Sequence, residues 1–268
     1  MSHRDLRAAL TIAGSDSSGG AGIQADLKTF AALGVYGTSA ITAVTAQNTT
    51  GVTRALPLPA DLVTAQIEAV AADIVLHAAK TGMLATAAIV EAVAAAIEAL
   101  DLPMVVVDPV MLVKSGDRLL DDDGVKMLCV ELLPLATVVT PNLPEAEALS
   151  GRPVASMDDA REAARRIHGM GSSAVIVKGG HGHGDEIVDL LFDGERFTEF
   201  RTPRVQTRHT HGTGCTFASA VAAYLAHGHS LADATARAQS YVAGAVRHGL
   251  AIGKGHGPLD HFWRTRFG

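Results

Sequence analysis

Short apolar runs recur along the chain, separated by stretches in which apolar positions return at helical spacing and by glycine-rich turns. That alternation is the pattern of a parallel sheet joined by crossover helices. The fold class expected is therefore α/β, a central, mostly parallel sheet with helices on both faces. Strand-like runs fall at residues 8–13, 38–44, 74–78, 104–107, 137–139, 174–177 and 187–192. In residues 85–100, Val90, Val93, Ile97 and Leu100 form a helical stripe with Glu91 and Glu98 off it. A helical pattern over 158–168 stops at Gly169, as a C-cap predicts. Residues 214–227 read as a helix with Phe217, Val221, Tyr224 and Leu225 on one side and Gly228 closing it. Short polar strands at 52–56 and 196–200 are expected to form a small lid or edge. No internal repeat, low-complexity tract or linker interrupts the pattern, so one domain over residues 1–268 is expected.

Composition narrows the function. The chain is 48% hydrophobic with only 4% aromatic residues, which suits helices packed on a buried sheet. Its most apolar helical stretch carries Glu91 and Glu98, so no membrane segment is expected. The first residues lack the long apolar run of a secretory signal, and the expected location is cytoplasmic. A net charge of −6 argues against sequence-independent nucleic-acid binding, leaving a small molecule as the expected partner. Cys129 and Cys215 make no disulfide framework. The pairs His181/His183, His209/His211 and His227/His229 lack the further ligands of a zinc site, and structural zinc is not expected.

In open α/β sheets ligands bind at the carboxyl ends of strands. Gly14-Ser15-Asp16-Ser17-Ser18-Gly19-Gly20-Ala21-Gly22 joins an apolar strand to a helix, without the Lys-Ser/Thr of a P-loop; alone it fits a flexible turn equally well. In the following helix Asp26 projects close to the apolar stripe of Ile23, Leu27 and Phe30. A carboxylate there needs a partner, either a ligand or a structural hydrogen bond to a backbone amide. Two more strands end in Asp108-Pro109-Val110 and Thr140-Pro141-Asn142-Leu143-Pro144-Glu145. Magnesium takes oxygen ligands and keeps several waters, so Asp108 and Glu145 are candidates to hold Mg–ATP. Asn142 can equally cap a helix with Glu145 as its capping-box partner, and the two readings are compatible.

The most informative end combines Lys178-Gly179-Gly180 with Thr210-His211-Gly212-Thr213-Gly214-Cys215. A helix starting behind these glycines offers unpaired N–H groups and a positive dipole end to a phosphate. Lys178 can supply a mobile charge to the same phosphates, or be a surface lysine with a snorkelling stem. Cys215 at a helix start is either small packing or, since a helix N-terminus lowers a thiol pKa, a thiolate base.

These segments occur in order with Ile41-Thr42-Ala43-Val44-Thr45-Ala46-Gln47-Asn48-Thr49, Lys80-Thr81-Gly82-Met83-Leu84 and Lys114-Ser115-Gly116. As a series from near the N-terminus to residue 216, the chain resembles the bacterial hydroxymethylpyrimidine/phosphomethylpyrimidine kinases of thiamine synthesis, which share the ribokinase-like fold with pyridoxal kinases. The resemblance implies that Asp26 and Gln47 hydrogen-bond an aminopyrimidine, with Gly14, Ala21, Thr45 and Met83 around it. It implies that Asn142, Glu145 and Thr210 serve magnesium and the ATP phosphates and Lys178 the transferring phosphates. Gly212, Thr213 and Gly214 would form the anion hole, and Cys215 would face the substrate hydroxyl. A homodimer is the assembly the resemblance implies. Thr81 stands where the family usually carries an aliphatic residue. Rival readings are a pyridoxal kinase, a non-catalytic sensor on the same fold, and a thiol redox protein, the last disfavoured because no second cysteine lies near Cys215.

Overall fold

The computed structural model describes residues 6–111, 119–181 and 184–267. The Lys114–Gly116 segment and His183 lie outside the described residues. The first elements are β1 (Ala8–Asp16), α1 (Gly22–Ala32), β2 (Tyr36–Asn48), β3 (Gly51–Pro57), α2 (Ala60–Ala71), β4 (Ala78–Thr81) and α3 (Ala87–Ala99). Next come β5 (Val105–Val107), α4 (Asp122–Met127), β6 (Val138–Val139), α5 (Leu143–Ser150), α6 (Met157–His168) and β7 (Val175–Val177). The chain ends with β8 (Glu186–Phe192), β9 (Phe197–Pro203), α7 (Thr213–Ala226), α8 (Leu231–Arg247) and α9 (Trp263–Phe267).

One sheet runs in the order β3-β2-β1-β4-β5-β6-β7-β8-β9. The pairs from β2 through β1, β4, β5 and β6 to β7 are parallel. Antiparallel pairing of β3 at one end and of β8 and β9 at the other makes the two short polar strands edges of the sheet, with no separate lid. One apolar layer packs Val63, Ile89, Val93, Leu132 and Ile167 on one face of the sheet. The other packs Phe30, Val221, Ala222 and Tyr241 on the opposite face. Helix α7 is buried on every side from Thr216 to Ala226, not on one stripe as its spacing suggests. Among the described residues no helix is long and apolar enough to cross a membrane.

Two expected boundaries move, while the C-cap expected at Gly169 is found there. The strand placed at 74–78 lies at Ala78–Thr81: Ile74 closes α2 through its N–H to the Val70 carbonyl, Val75 is exposed, and register with Thr11 selects Lys80. The helix placed from residue 85 begins at Ala87, because Thr86 is its N-cap and accepts from the Ile89 amide. Gly169 ends α6 in a right-handed conformation, and the left-handed residue is Gly171, two positions on.

Thr81 is fully buried, and its hydroxyl finds no partner among the described residues. Removing a buried, unpaired hydroxyl while keeping the β-branched shape relieves its desolvation penalty. Thr81→Val is therefore expected to raise stability by about 1 kcal/mol. Chemical denaturation at unchanged m-value checks this; a midpoint that falls contradicts it.

Candidate active site

Strand β1 ends in Asp16, and the loop behind it is wrapped around that carboxylate. Asp16 accepts from the amides of Ser18 (2.8 Å), Gly20 (3.1 Å) and Ala21 (2.8 Å), and from the Ser18 hydroxyl. It also meets His211 Nε2 at 2.8 Å. Burial pushes the carboxyl up, but the bonds from His211 and Ser18 prevail and hold it down at about 2. The pair ties the first loop to the turn that opens α7. Gly212, at φ +83°, is the N-cap of α7, and its α-carbon lies so close to the Gly20 carbonyl that no Cβ fits. Neither Asp16 nor His211 was marked from sequence as a site residue. An acidic side chain two residues before a serine in a glycine-rich loop was the available signal.

The acceptor side is built on the sheet register, which sets Asp16 opposite Thr45. The Thr45 hydroxyl donates to the Ser15 carbonyl at 2.8 Å and lies 3.1 Å from Gln47 Oε1. The Gln47 amide nitrogen Nε2 stands 3.4 Å from His211 Nε2. Met83 lies over Gly14, where a Cβ would come within 2.7 Å of the methionine methyl, and the Met83 carbonyl accepts from Thr42 at 2.6 Å. Gly14, Ala21, Thr45, Gln47 and Met83 thus gather around the ends of β1, β2 and β4.

Asp26 does not join them. Its carboxylate is fully buried, with Oδ2 bound by the Thr11 hydroxyl (2.6 Å) and Lys80 Nζ (2.9 Å) and Oδ1 by the Ser219 hydroxyl (2.6 Å). With internal donors on both oxygens and no exposed surface, it is closed off from a ring bound at the strand ends. The structural alternative holds, through side chains and not through a backbone amide. Lys80, its partner, was also missed: α1 and β4 are far apart in sequence and nothing local pairs them.

At the ends of β5, β6 and β7, Lys178 follows β7 and donates to Asp108 Oδ1 at 2.8 Å. The lysine is 11% exposed, so the snorkelling surface reading does not hold. Its backbone N–H donates to the Pro141 carbonyl, bringing the ends of β6 and β7 together. Asn142 caps α5, accepting from the Glu145 amide at 2.9 Å, while Glu145 accepts from the Asn142 amide at 2.8 Å. Burial pushes the Glu145 carboxyl up to about 7; Lys178 opposes this and the neighbouring Asp108 adds to it. One ammonium, that of Lys178, serves both carboxyls, which leaves room for a further cation. Among the described residues no group of three or more histidine, cysteine or acidic side chains could hold a metal by itself. The donor set fits magnesium brought in with phosphates, which uses one or two carboxylates and keeps its waters.

Between the two sides lies the α7 N-terminus. Thr213 donates its hydroxyl to the Thr210 carbonyl at 2.8 Å, tightening the turn. A Cβ at Gly214 would sit 3.4 Å from Lys178 Nζ and 3.9 Å from Asp108, so the glycine lies directly against the Lys178–Asp108 pair. Cys215 follows, half-buried. Its thiol does not show the lowered pKa expected of a helix start: burial pushes it up to about 11, against the pull of the Lys80 charge. His227 and His229 belong elsewhere, on the Leu33 carbonyl and Asp233.

Because both Asp26 oxygens are engaged internally, Asp26→Ala is expected to destabilise by about 3–5 kcal/mol, leaving Lys80 buried and unpaired. The acceptor KM is expected to stay within about twofold. Thermal unfolding and steady-state kinetics check the two halves, and a large KM rise at unchanged stability contradicts both.

The chain was compared with known proteins. A family model described as "Phosphomethylpyrimidine kinase" matches residues 16–260. The hydroxymethylpyrimidine/phosphomethylpyrimidine kinase of Bacillus subtilis strain 168 is 52% identical over 255 residues, 95% of this chain and 94% of that protein. The thiamine biosynthesis bifunctional protein ThiED of Geobacter sulfurreducens is 51% identical over 252 residues; the match takes in 94% of this chain and about half of that longer protein (51%). The structure of Staphylococcus aureus pyridoxal kinase in complex with AMP-PCP and pyridoxal superposes with a TM-score of 0.90 at 42% identity, covering 98% of this chain and 96% of that one. A parallel sheet ending in this cleft, and a match over most of the sequence at this identity, place the chain in the phosphomethylpyrimidine kinase family with a ribokinase-like fold.

Proposed function

We propose that the chain transfers the terminal phosphoryl group of ATP to the hydroxyl of hydroxymethylpyrimidine, and then phosphorylates the resulting monophosphate to the diphosphate, as a step of thiamine biosynthesis in the cytoplasm. The observation that carries this is the meeting of the Lys178–Asp108 pair with the Gly212–Gly214 turn, across from Gly14, Gln47 and Met83. Phosphoryl transfer asks the protein mainly for positioning and for positive charge where negative charge develops. Lys178 and the amides at the start of α7 supply that charge. Asp108 and Glu145 would hold magnesium, with Asn142 fixing Glu145 and Thr210 bracing the phosphate turn. The ion would neutralise charge on the nucleotide phosphates. Gln47 and Thr45 read the acceptor ring, with Met83, Gly14 and Ala21 closing around it. Cys215 takes the hydroxyl proton in the first step.

A second reading adds pyridoxal as an acceptor, favoured by the 42% identity and TM-score of 0.90 to a pyridoxal kinase. Turnover of a substrate panel by purified protein separates the two, and ATP turnover excludes a mere sensor. We also propose a homodimer seated on the β2–β3 edge, where Tyr36, Val44 and Leu56 are exposed; a monomer by sedimentation contradicts it.

Lys178→Ala is expected to lower turnover on every acceptor by about 10²–10³-fold, the usual effect of losing one charge-stabilising donor. Unchanged turnover overturns the assignment.

The two acceptors differ at Cys215. A neutral alcohol must lose a proton, whereas a phosphomonoester, with its second pKa near about 6, is already ionised. With the thiol at about 11, the thiolate fraction grows as pH rises through the neutral range. The ratio of alcohol to monophosphate turnover is therefore expected to climb between about pH 7.5 and 9 in the wild type. In Cys215→Ala the ratio is expected to be lower by about 10²-fold and flat with pH. Equal losses on both acceptors would mean that Cys215 only shapes the anion hole.

A further inference from the structure

We infer that Lys80, seated on Asp26 beneath the first turn of α7, is a positioning residue for transfer to the alcohol: its buried ammonium is the charge that holds Cys215 as the thiolate, which becomes a thiol as it takes the proton of the acceptor hydroxyl. The inference rests on the reading of Cys215 as base.

The starting point is that the pair has no account in stability. Lys80 and Asp26 are both 0% exposed, 2.9 Å apart. Burying two charges costs more than their attraction commonly returns, and an apolar pair of equal volume holds a core at least as well. What the pair does have is a location. Ser219, which binds Asp26 Oδ1, stands one helical turn after Cys215 on α7, so both side chains look from the same face towards the cluster. On the other side the ammonium lies against the turn that carries Met83: a Cβ on Gly82 would come within 2.8 Å of Lys80 Nζ. Lys80 therefore sits under both the base and the acceptor wall.

The charges that surround the thiol come from four elements. Asp26 on α1 and Asp108 after β5 oppose its ionisation, and Lys80 on β4 favours it more than either opposes it. Lys178, after β7, is engaged with Asp108. Lys80 keeps its proton in spite of burial, because the Asp26 carboxylate and, farther off, Asp108 hold the ammonium. Removing that charge leaves the thiolate facing carboxylates alone.

The test uses the full chain in a Cys129→Ala background, so that iodoacetamide reports on Cys215. Far below the thiol pKa the alkylation rate follows the thiolate fraction, and an opposite charge lost within a few ångströms moves a pKa by about one unit or more. Lys80→Met is expected to alkylate about tenfold more slowly than its parent at about pH 8.5. Asp26→Asn is expected to alkylate faster, and Asp26→Asn/Lys80→Met to fall between the parent and Lys80→Met. The double variant leaves no unpaired buried charge, so it carries the test if the single variant does not fold. A merely structural loosening exposes the thiol and speeds alkylation, the opposite direction for Lys80. Turnover of Lys80→Met is expected to fall about tenfold on the alcohol and to be spared on the monophosphate. Alkylation of Lys80→Met, or of the double variant where that carries the test, as fast as the parent or faster overturns the inference whatever turnover does. Slower alkylation with alcohol turnover unchanged in both Lys80→Met and Cys215→Ala overturns it by a different route, by removing Cys215 as base.

Discussion

Four elements meet on one carboxylate. Asp26 belongs to α1, and it is bound by Thr11 from β1, Lys80 from β4 and Ser219 from α7. A carboxylate withdrawn wholly from water must find a donor for each oxygen. That requirement fixes how deep α7 lies over the strand ends and at what rotation. The direction of α7 in turn decides where the amides of Gly212 to Gly214 point. The turn proposed to face the phosphates is thus aimed from below by a polar knot that stands outside the proposed ring and nucleotide sites.

Three acidic residues at the cleft illustrate how neighbours set the behaviour of one functional group. Asp16 has three backbone amides, a hydroxyl and an imidazole around it and stays ionised far into acid. Glu145 has its own N-cap amide and a cation at a distance, but also Asp108, and it holds its proton up to about 7. Asp108 has Lys178 directly upon it. Their burial is similar; the number and charge of the donors differ. The first is therefore a brace for the loop, while the last two suit a site that receives a dication with its phosphates.

Much of this was legible in the chain. The glycine-flanked strand ends, the Asn142–Glu145 capping box, the start of α7 and the order of the motifs are local, and local patterns survive in a sequence. The strand at 78–81 was not, because its buried lysine looks polar while Ile74 and the exposed Val75 just before it look like a strand. The Asp26–Lys80 and Asp16–His211 pairs were not either, since each joins residues that only the fold brings together. For Asp26 the apolar surroundings were visible and the partner was not. For Cys215 the helix start was visible, but not the burial that outweighs it.

The contact of Gly212 with the Gly20 carbonyl has a consequence for how such a site diversifies. The phosphate turn and the first loop are locked backbone to backbone, with Asp16 and His211 as the rivet. At the glycine contact itself no side chain lies between them to be exchanged. The space left for an acceptor is therefore trimmed only from its other walls, by Thr45, Gln47 and the thioether of Met83. On the proposed reading, substitutions there would retune the ring that is admitted without moving the turn that faces the phosphates.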